Sequence, residues 1–443
     1  VKKVRIANAG GFWGDWLEAP KNQVLGGKID YLTIDYLAEL TMSMLARQLV
    51  TYPDRGYVFD FVRMLEELLP EIKKRKIKVI SNAGGMNPKG CALQIKKIAE
   101  KLGIDIKIAF VAGDDFKDQI GNLELSQLET KESIKAISSK VTSANAYLGS
   151  DPIVEALKDG AEIVVTGRIS DASLTVAPLM YEFDWKSDDW DKLALGVVLG
   201  HILECGAQAT GGNCSYDWKA VPELESVGFP IVEVSSDLTA IVTKHPNTGG
   251  EVTIPTVTEQ LIYEIGDPRN YISPDVIADF TSIKLEEISK DQIKVSGVKG
   301  KPRTEFYKGS ISYEAGYKAD GSLLFSWPDA LEKAKAGDKI IRNRLTKLGL
   351  KFEEIFTEFI GHSACHGAIG TASDPNEVLL RIAVRGHDKK AVDRFVRELA
   401  PLVLSGPPGI SGYAGSRGGA EEIFAYWPTL VPRSAITPVW ECV

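Results

Sequence analysis

From Val4 to about Cys205 the chain alternates short β-branched runs with longer helical patterns, and few folds accommodate that alternation. The strand patterns are Val4 to Ala9, Tyr31 to Ile34, Ile77 to Asn82, Ile106 to Val111 and Glu162 to Thr166. Helical periodicity fills Tyr36 to Val50, Tyr57 to Arg75, Cys91 to Leu102 and Asp151 to Asp159. Each helix is long enough to cross back over a sheet and return the next strand parallel to the last. The alternation predicts an α/β fold: an open, mostly parallel sheet with helices on both faces, spanning residues 1–216.

After Asp217 the texture becomes turn-rich, with Pro-Asn-Thr-Gly-Gly at 246–250 and Lys-Ala-Asp-Gly at 318–321 between Val- and Ile-rich runs. A β-rich domain over 217–327 is expected. From about Pro328 a long helical pattern, strand patterns at Phe352 to Ile360 and Val378 to Arg385, a helix at Lys389 to Leu404 and a last strand predict a small α+β unit over 328–443. A glycine-rich loop, Ser405 to Gly419, interrupts it.

Composition excludes some functions. With 44% hydrophobic and 25% charged residues among 443, the chain can bury large cores. Its 60 acidic against 52 basic side chains leave no basic stripe for a nucleic-acid backbone. The apolar runs, such as Ala194 to Leu203, stop short of the ~20 residues of a membrane span, so neither membrane anchor nor signal peptide is expected. Five irregularly spaced cysteines form no disulfide framework, which points to the cytoplasm.

Ligands of open parallel sheets bind beyond the carboxyl ends of the strands. Two of those ends carry Asn-Ala-Gly-Gly, at 8–11 and 82–85; two others carry Gly113-Asp114-Asp115 and Thr166-Gly167-Arg168-Ile169-Ser170-Asp171. Glycine permits close backbone approach and asparagine both donates and accepts. Asn8, Gly10, Gly11, Asn82, Gly84, Gly85, Asp114, Asn145, Thr166, Gly167, Arg168 and Asp171 are therefore candidate substrate contacts, with Arg168 a bidentate clamp for an anion. Tight β-to-α turns would equally need the glycines. The dinucleotide and P-loop fingerprints are both absent.

Six residues are candidates for catalysis. Asp35 and Glu39 stand four apart, as acid–base partners do; an N-cap and a surface acid fit the same spacing. His201, Glu204 and Cys205 share one face of an apolar helix beginning near Trp190. Cys91 falls near the start of a helix opened by Asn87-Pro88-Lys89, where the dipole and Lys89 would lower a thiol pKa; a buried small hydrophobe is the other reading. His362, Cys365 and His366 form H-x-x-C-H, spaced for zinc if a fourth ligand came from elsewhere, or simply a structural loop, and no metal site is assigned there.

Longer ordered motifs carry a resemblance. They are Asp30-Tyr31-Leu32-Thr33, Asp35 to Met42, Asn82 to Cys91, Ser143-Ala144-Asn145-Ala146-Tyr147-Leu148-Gly149, Thr166-Gly167-Arg168, Gly200 to Gly206 and Thr258 to Ile265. Over Val4 to Gln292, and more weakly beyond, the chain resembles the acyclic terpene utilisation AtuA family, whose longer members carry a further C-terminal domain. That family is named for a gene cluster degrading citronellol and geraniol through branched acyl-CoA intermediates. The resemblance implies an enzyme of branched or unsaturated acyl-CoA catabolism, a hydratase or related lyase. CoA would enter only as part of the substrate, no further cofactor is expected, and a homo-oligomer is. The loops and Arg168 would hold the thioester oxygen, Asp35, Glu39, His201 or Glu204 would move a proton, and Cys91 or Cys205 would serve a covalent route. Two alternatives stay open: a metal-assisted hydrolase of a small carboxylate using Asp35, Asp114 or His201, and a non-catalytic ligand-binding subunit of a carboxylase or lyase assembly.

Overall fold

A computed structural model describes residues 1–369, 375–415 and 419–443. The strands β1 (Lys3–Asn8), β2 (Tyr31–Ile34), β3 (Lys78–Ser81), β4 (Ile108–Ala112) and β6 (Ile163–Thr166) fall on the five expected runs, with an additional β5 (Val141–Ala146) before the last. Between them lie α1 (Ala19–Gly26), α2 (Glu39–Thr51), α3 (Phe59–Arg75), α4 (Pro88–Lys101) and α5 (Asp151–Lys158). Then come α6 (Ser173–Phe183) and α7 (Trp190–Glu204), which is apolar all round because it is buried all round.

β1, β2, β3, β6 and β4 pair in that spatial order, all parallel. Their side chains alternate between faces. Ala7, Leu32, Ile34, Val79, Phe110 and Val165 pack into one core with Val24 of α1, Phe61 and Leu65 of α3 and Ile95 of α4. Tyr31, on the opposite face, donates its hydroxyl to Glu182 of α6 at 2.6 Å.

The sheet does not stop there, and on this point the expected mostly parallel sheet needs correction. β7 (Pro230–Ser235) and β8 (Ala240–Lys244) continue it beyond β1, all antiparallel. After α8 (Ile254–Ile262), β9 (Tyr271–Ile272) and β10 (Ile277–Asp279), β11 (Lys284–Ser289) and β12 (Gln292–Ser296) extend the same edge. The ten-stranded sheet is thus mixed. Half of the segment read as a separate β-rich domain feeds the first sheet, because short hairpins supply antiparallel partners for its open edge. β9, β10 and β13 (Lys299–Lys301) form a small antiparallel sheet of their own.

The described chain divides into two compact units, 1–312 with 426–443, and 313–425. β14 (Phe306–Ser326) begins in the first, where Tyr147 N donates to Lys308 O at 2.9 Å, and runs on into the second. The second unit contains α9 (Ala330–Lys347), β15 (Glu354–Ile360), β16 (Glu377–Gly386), α10 (Lys389–Leu399), the short α11 (Leu402–Ser405) and β17 (Ile410–Gly415). β15, β16, β14 and β17 lie side by side. Their core joins Phe325, Leu380 and Ile382 to Ile341 of α9 and Phe395 of α10. Part of the expected glycine-rich loop is therefore a strand, and its residues 416–418 lie outside the described residues. After β18 (Glu421–Pro432), the last strand, β19 (Val439–Cys442), is not part of the second unit as expected: it pairs antiparallel with β4 in the large sheet.

Candidate functional site

The carboxyl ends of β1, β2, β3, β6 and β4 follow one another along one edge, and short polar bridges join them. Asn8 folds the first turn by accepting from Gly10 N at 2.9 Å and donating to Gly10 O at 3.2 Å, and Asp35 N donates to that same carbonyl at 3.0 Å. Asn82, at the end of β3, uses both ends of its amide across to β2: Nδ2 donates to Asp35 Oδ1 at 2.6 Å and Oδ1 accepts from Tyr36 N at 2.8 Å. Asp114 Oδ2 accepts from Arg168 N at 2.9 Å and from Asn145 Nδ2 at 2.8 Å. Glycine is required at 167, since a Cβ there would lie 2.4 Å from Asp114 Oδ1. The loops read as ligand cradles are in large part braces between strand ends. Asn8, Gly10, Asn82, Gly84, Gly85, Asp114, Asn145, Thr166 and Gly167 stand behind the site and do not line it.

The site itself is a cavity of about 890 Å³ in the first unit, and Gly11, Asp35, Glu39, Arg168, Asp171, His201, Glu204 and Cys205 all face it. Gly11 brings the β1 loop against the end of α7: a Cβ there would sit 2.8 Å from Glu204 O and 3.0 Å from the Cys205 backbone. That close approach places the His201 pair beside the ends of β1 and β2.

Arg168 is 2% exposed, and its guanidinium lies 4.0 Å from the centre of the Tyr147 ring. Nη1 donates to Leu37 O, and Nη2 is 3.4 Å from Asp171 Oδ1, close enough for ionic attraction but without hydrogen-bond geometry. The Tyr147 hydroxyl donates to Glu39 Oε1 at 2.6 Å, which Lys308 Nζ approaches to 3.4 Å while lying 4.6 Å over the same ring. A cation–π contact stripped of water is worth about 2 kcal/mol, so Tyr147 holds the buried arginine as firmly as a hydrogen bond would.

On the other side, His201 Nδ1 and Glu204 Oε1 are 2.7 Å apart, and Gln260 Nε2 donates to His201 O at 2.7 Å. Tyr271 and Phe280 pack on the imidazole at 5.6 and 5.5 Å between ring centres. With Nδ1 held by the carboxylate, Nε2 is the nitrogen left for chemistry, and among the described residues it has no hydrogen-bond partner.

Burial dominates the electrostatics. It raises the Asp35 carboxyl well above its usual range, Asp171 raises it further, and Arg168 and Asn82 offset only part. Burial also raises Glu204 against the pull of His201. For His201 burial acts to lower proton affinity, but the Glu204 carboxylate outweighs it and the net shift is upward. Glu39 goes the other way: burial would raise it, yet the Tyr147 hydroxyl, Arg168 and Lys308 bring it to about 2. Asp114 is pushed up to about 6 by burial despite its two hydrogen bonds. The site therefore mixes carboxyls that keep their protons with carboxylates that do not, which is what acid–base work requires.

The cysteines separate. Cys91 is fully buried in the core under α4, away from the cavity, and burial drives its thiol upward, opposite to the expected effect of the helix dipole and Lys89. Cys205 lines the cavity, but burial and Glu204 push its thiol up to about 12. His362, Cys365 and His366 occupy the turn after β15, in the second unit. Among the described residues no group of three or more His, Cys, Asp or Glu could hold a metal ion. Nor, among them, is any helix long and apolar enough to cross a membrane.

Tyr147, Lys308 and Tyr271 were missed from sequence. Tyr147 lies inside the quoted Ser143 to Gly149 motif, whereas Lys308 and Tyr271 arrive on β14 and β9, with nothing local to mark them.

Fold and site together define an α/β protein with a cavity lined by titratable side chains at the carboxyl edge of a mixed sheet. Residues 4–442 match the family model described as acyclic terpene utilisation family protein AtuA. The chain belongs to that family. No curated protein and no solved structure matches it.

Proposed function

We propose that the protein is a hydratase or related lyase that adds water to, or removes it from, a branched acyl-CoA. Family membership supports a role in acyclic terpene utilisation. One observation supports the finer reading: among the described residues Arg168 Nε, Asp171 Oδ1, His201 Nε2 and Glu204 Oε2 are buried without a hydrogen-bond partner, all on side chains that line one cavity. An unmade buried hydrogen bond costs about 1–3 kcal/mol, so four together argue for a ligand that completes them.

The chemistry follows from which of these atoms donate and which accept. Arg168 Nε–H and the protonated Asp35 carboxyl hold the thioester oxygen as charge builds on it. A water gives one hydrogen bond to Glu204 Oε2 or Asp171 Oδ1 and the other to His201 Nε2, which takes that proton as the oxygen bonds to the β carbon. The C=C electron pair moves toward the carbonyl to give an enolate. His201 then returns the proton to the α carbon, so that one water is added overall, and the reverse sequence is the dehydration.

The thermal unfolding midpoint is measured with free CoA, saturated, 2-enoyl and 3-hydroxy branched acyl-CoAs, and the matched free acids. Saturation at about 100 times Kd stabilises by ~2.7 kcal/mol. The reading expects shifts with the enoyl and hydroxy thioesters and conversion of one into the other. If no thioester shifts the midpoint but a free acid or a divalent metal does, it fails. Binding without turnover would identify a ligand-binding subunit instead.

A further inference from the structure

The cavity is unevenly charged. Asp15, Glu39, Asp171, Glu204 and Glu264 line it beside the proton-bearing Asp35, against Arg168 and Lys308 as permanent cations. Neither cation is spare. Arg168 is committed to Leu37 O, Asp171 and the Tyr147 ring, and Lys308 lies at Glu39 and the same ring. Asp15 spends its oxygens on Gly11 N and Trp16 N.

The buried atoms without partners carry the same bias. Glu204 Oε2 and Asp171 Oδ1 are acceptors, beside His201 Nε2, whose side chain is 1% exposed; among the described residues the one cavity side-chain atom without a hydrogen-bond partner that can only donate is Arg168 Nε, and it sits among carboxylates. A carboxylate acceptor is completed by a hydroxyl or water. A second carboxylate in its place would meet like charge in a site where water screens little.

We propose that the acyl group this cavity admits carries no ionised group, and that a thioester whose acyl chain bears a second, free carboxylate is rejected in favour of the uncharged ester or hydroxyl-bearing analogue. The inference rests on the acyl-CoA reading for the identity of the head, but its charge rule belongs to the cavity alone.

The test compares a branched dicarboxylic acyl-CoA with its own methyl ester, by calorimetry on the full chain. The same comparison is run without CoA, on a branched hydroxy acid and its methyl ester. One like charge at about 6 Å in a partly screened site corresponds to roughly tenfold in affinity, so the ester is expected to bind at least about tenfold more tightly than the acid. Glu204→Gln and Asp171→Asn each should reduce that preference. If the acid binds as tightly as its ester in the wild-type protein, the inference is overturned. If neither CoA compound binds but the small ester binds above its acid, the thioester reading fails and the charge rule stands. If no ester binds in either form, both fall.

Discussion

Asp114→Asn separates a structural carboxyl from a catalytic one through the pH dependence of stability. Asp114 is 3% exposed, and its pKa rises from 3.8 to about 6. A carboxyl whose folded pKa is raised binds its proton more tightly when folded. Its contribution to stability is therefore greatest in acid and is lost as pH rises from about 4 through about 6. At one pH unit per 1.36 kcal/mol, ionising it in place costs about 3 kcal/mol above pH 7, of which about 2 kcal/mol develops between pH 4.5 and pH 8. Asparagine keeps an acceptor for Arg168 N and Asn145 Nδ2, which share one oxygen of Asp114, and removes the charge. The new NH₂ has its own cost, the same at both pH values. Urea unfolding of both proteins at pH 4.5 and pH 8 should show the variant gaining about 2 kcal/mol relative to wild type on going to the higher pH, since every other group titrates alike in the two. An equal difference at both pH values would refute the claim that Asp114 is held against its charge. The ligand-induced midpoint shift should survive, because Asp114 stands behind the cavity.

Glu39→Gln should show the opposite sign: with a folded pKa of about 2, the carboxylate stabilises above its unfolded value and the benefit disappears as pH falls from about 4.5 toward 2. Its partial exposure limits the loss at pH 7 to about 1 kcal/mol, read as a midpoint difference from wild type that closes in acid. Arg168→Lys loses the stack on Tyr147 and cannot reach Leu37 O and Asp171 together, so it should destabilise by about 2–4 kcal/mol and abolish ligand-induced stabilisation; retention of both would show that the guanidinium is replaceable. Gly11→Ala drives a Cβ into Glu204 O, and about 1–3 kcal/mol of stability should go with most of the ligand affinity, measured by unfolding and calorimetry. Under native iodoacetamide labelling followed by mass spectrometry, exposed Cys365 should be modified and Cys91 should not; rapid alkylation of Cys91 would contradict its burial.

The parallel centre of the fold was legible because period and length are local signals: Tyr31–Ile34 is bounded to the residue, and α3 to within two. What failed was partnership. Nothing in Pro230–Ser235 or Val439–Cys442 states that the neighbour is Lys3–Asn8 or Ile108–Ala112, since a strand's local pattern is the same whichever strand it pairs with. Caps show the same limit on a smaller scale. Asp151-Pro152 reads as cap and first turn, but Ser150 takes the cap position, and its hydroxyl is drawn away to Asp275 Oδ2 at 2.9 Å by a residue 125 positions later.

The site divides along a similar line, and the division says what the Asn- and Gly-rich loops are for. Asn82 and Asp35 were both picked out as polar residues at strand ends, yet only Asp35 faces the cavity; Asn82 fixes one oxygen of that carboxyl at 2.6 Å and its neighbour's backbone at 2.8 Å. Asp114 does the same for the backbone of Arg168. A buried acid and a buried guanidinium surrounded by carboxylates resist being placed without water, and their positions must be over-determined if they are to be useful. Asparagine and glycine at the strand ends supply that rigidity: Asn82 bridges two loops with one planar amide while Asn8 closes its own turn, and glycine lets the loops come close enough to be bridged. On this account the Asn-Ala-Gly-Gly turns, Gly11 apart, stand behind the cavity, and substitutions at Asn8 and Asn82 should alter the proton affinity of Asp35 before they alter any contact with a ligand.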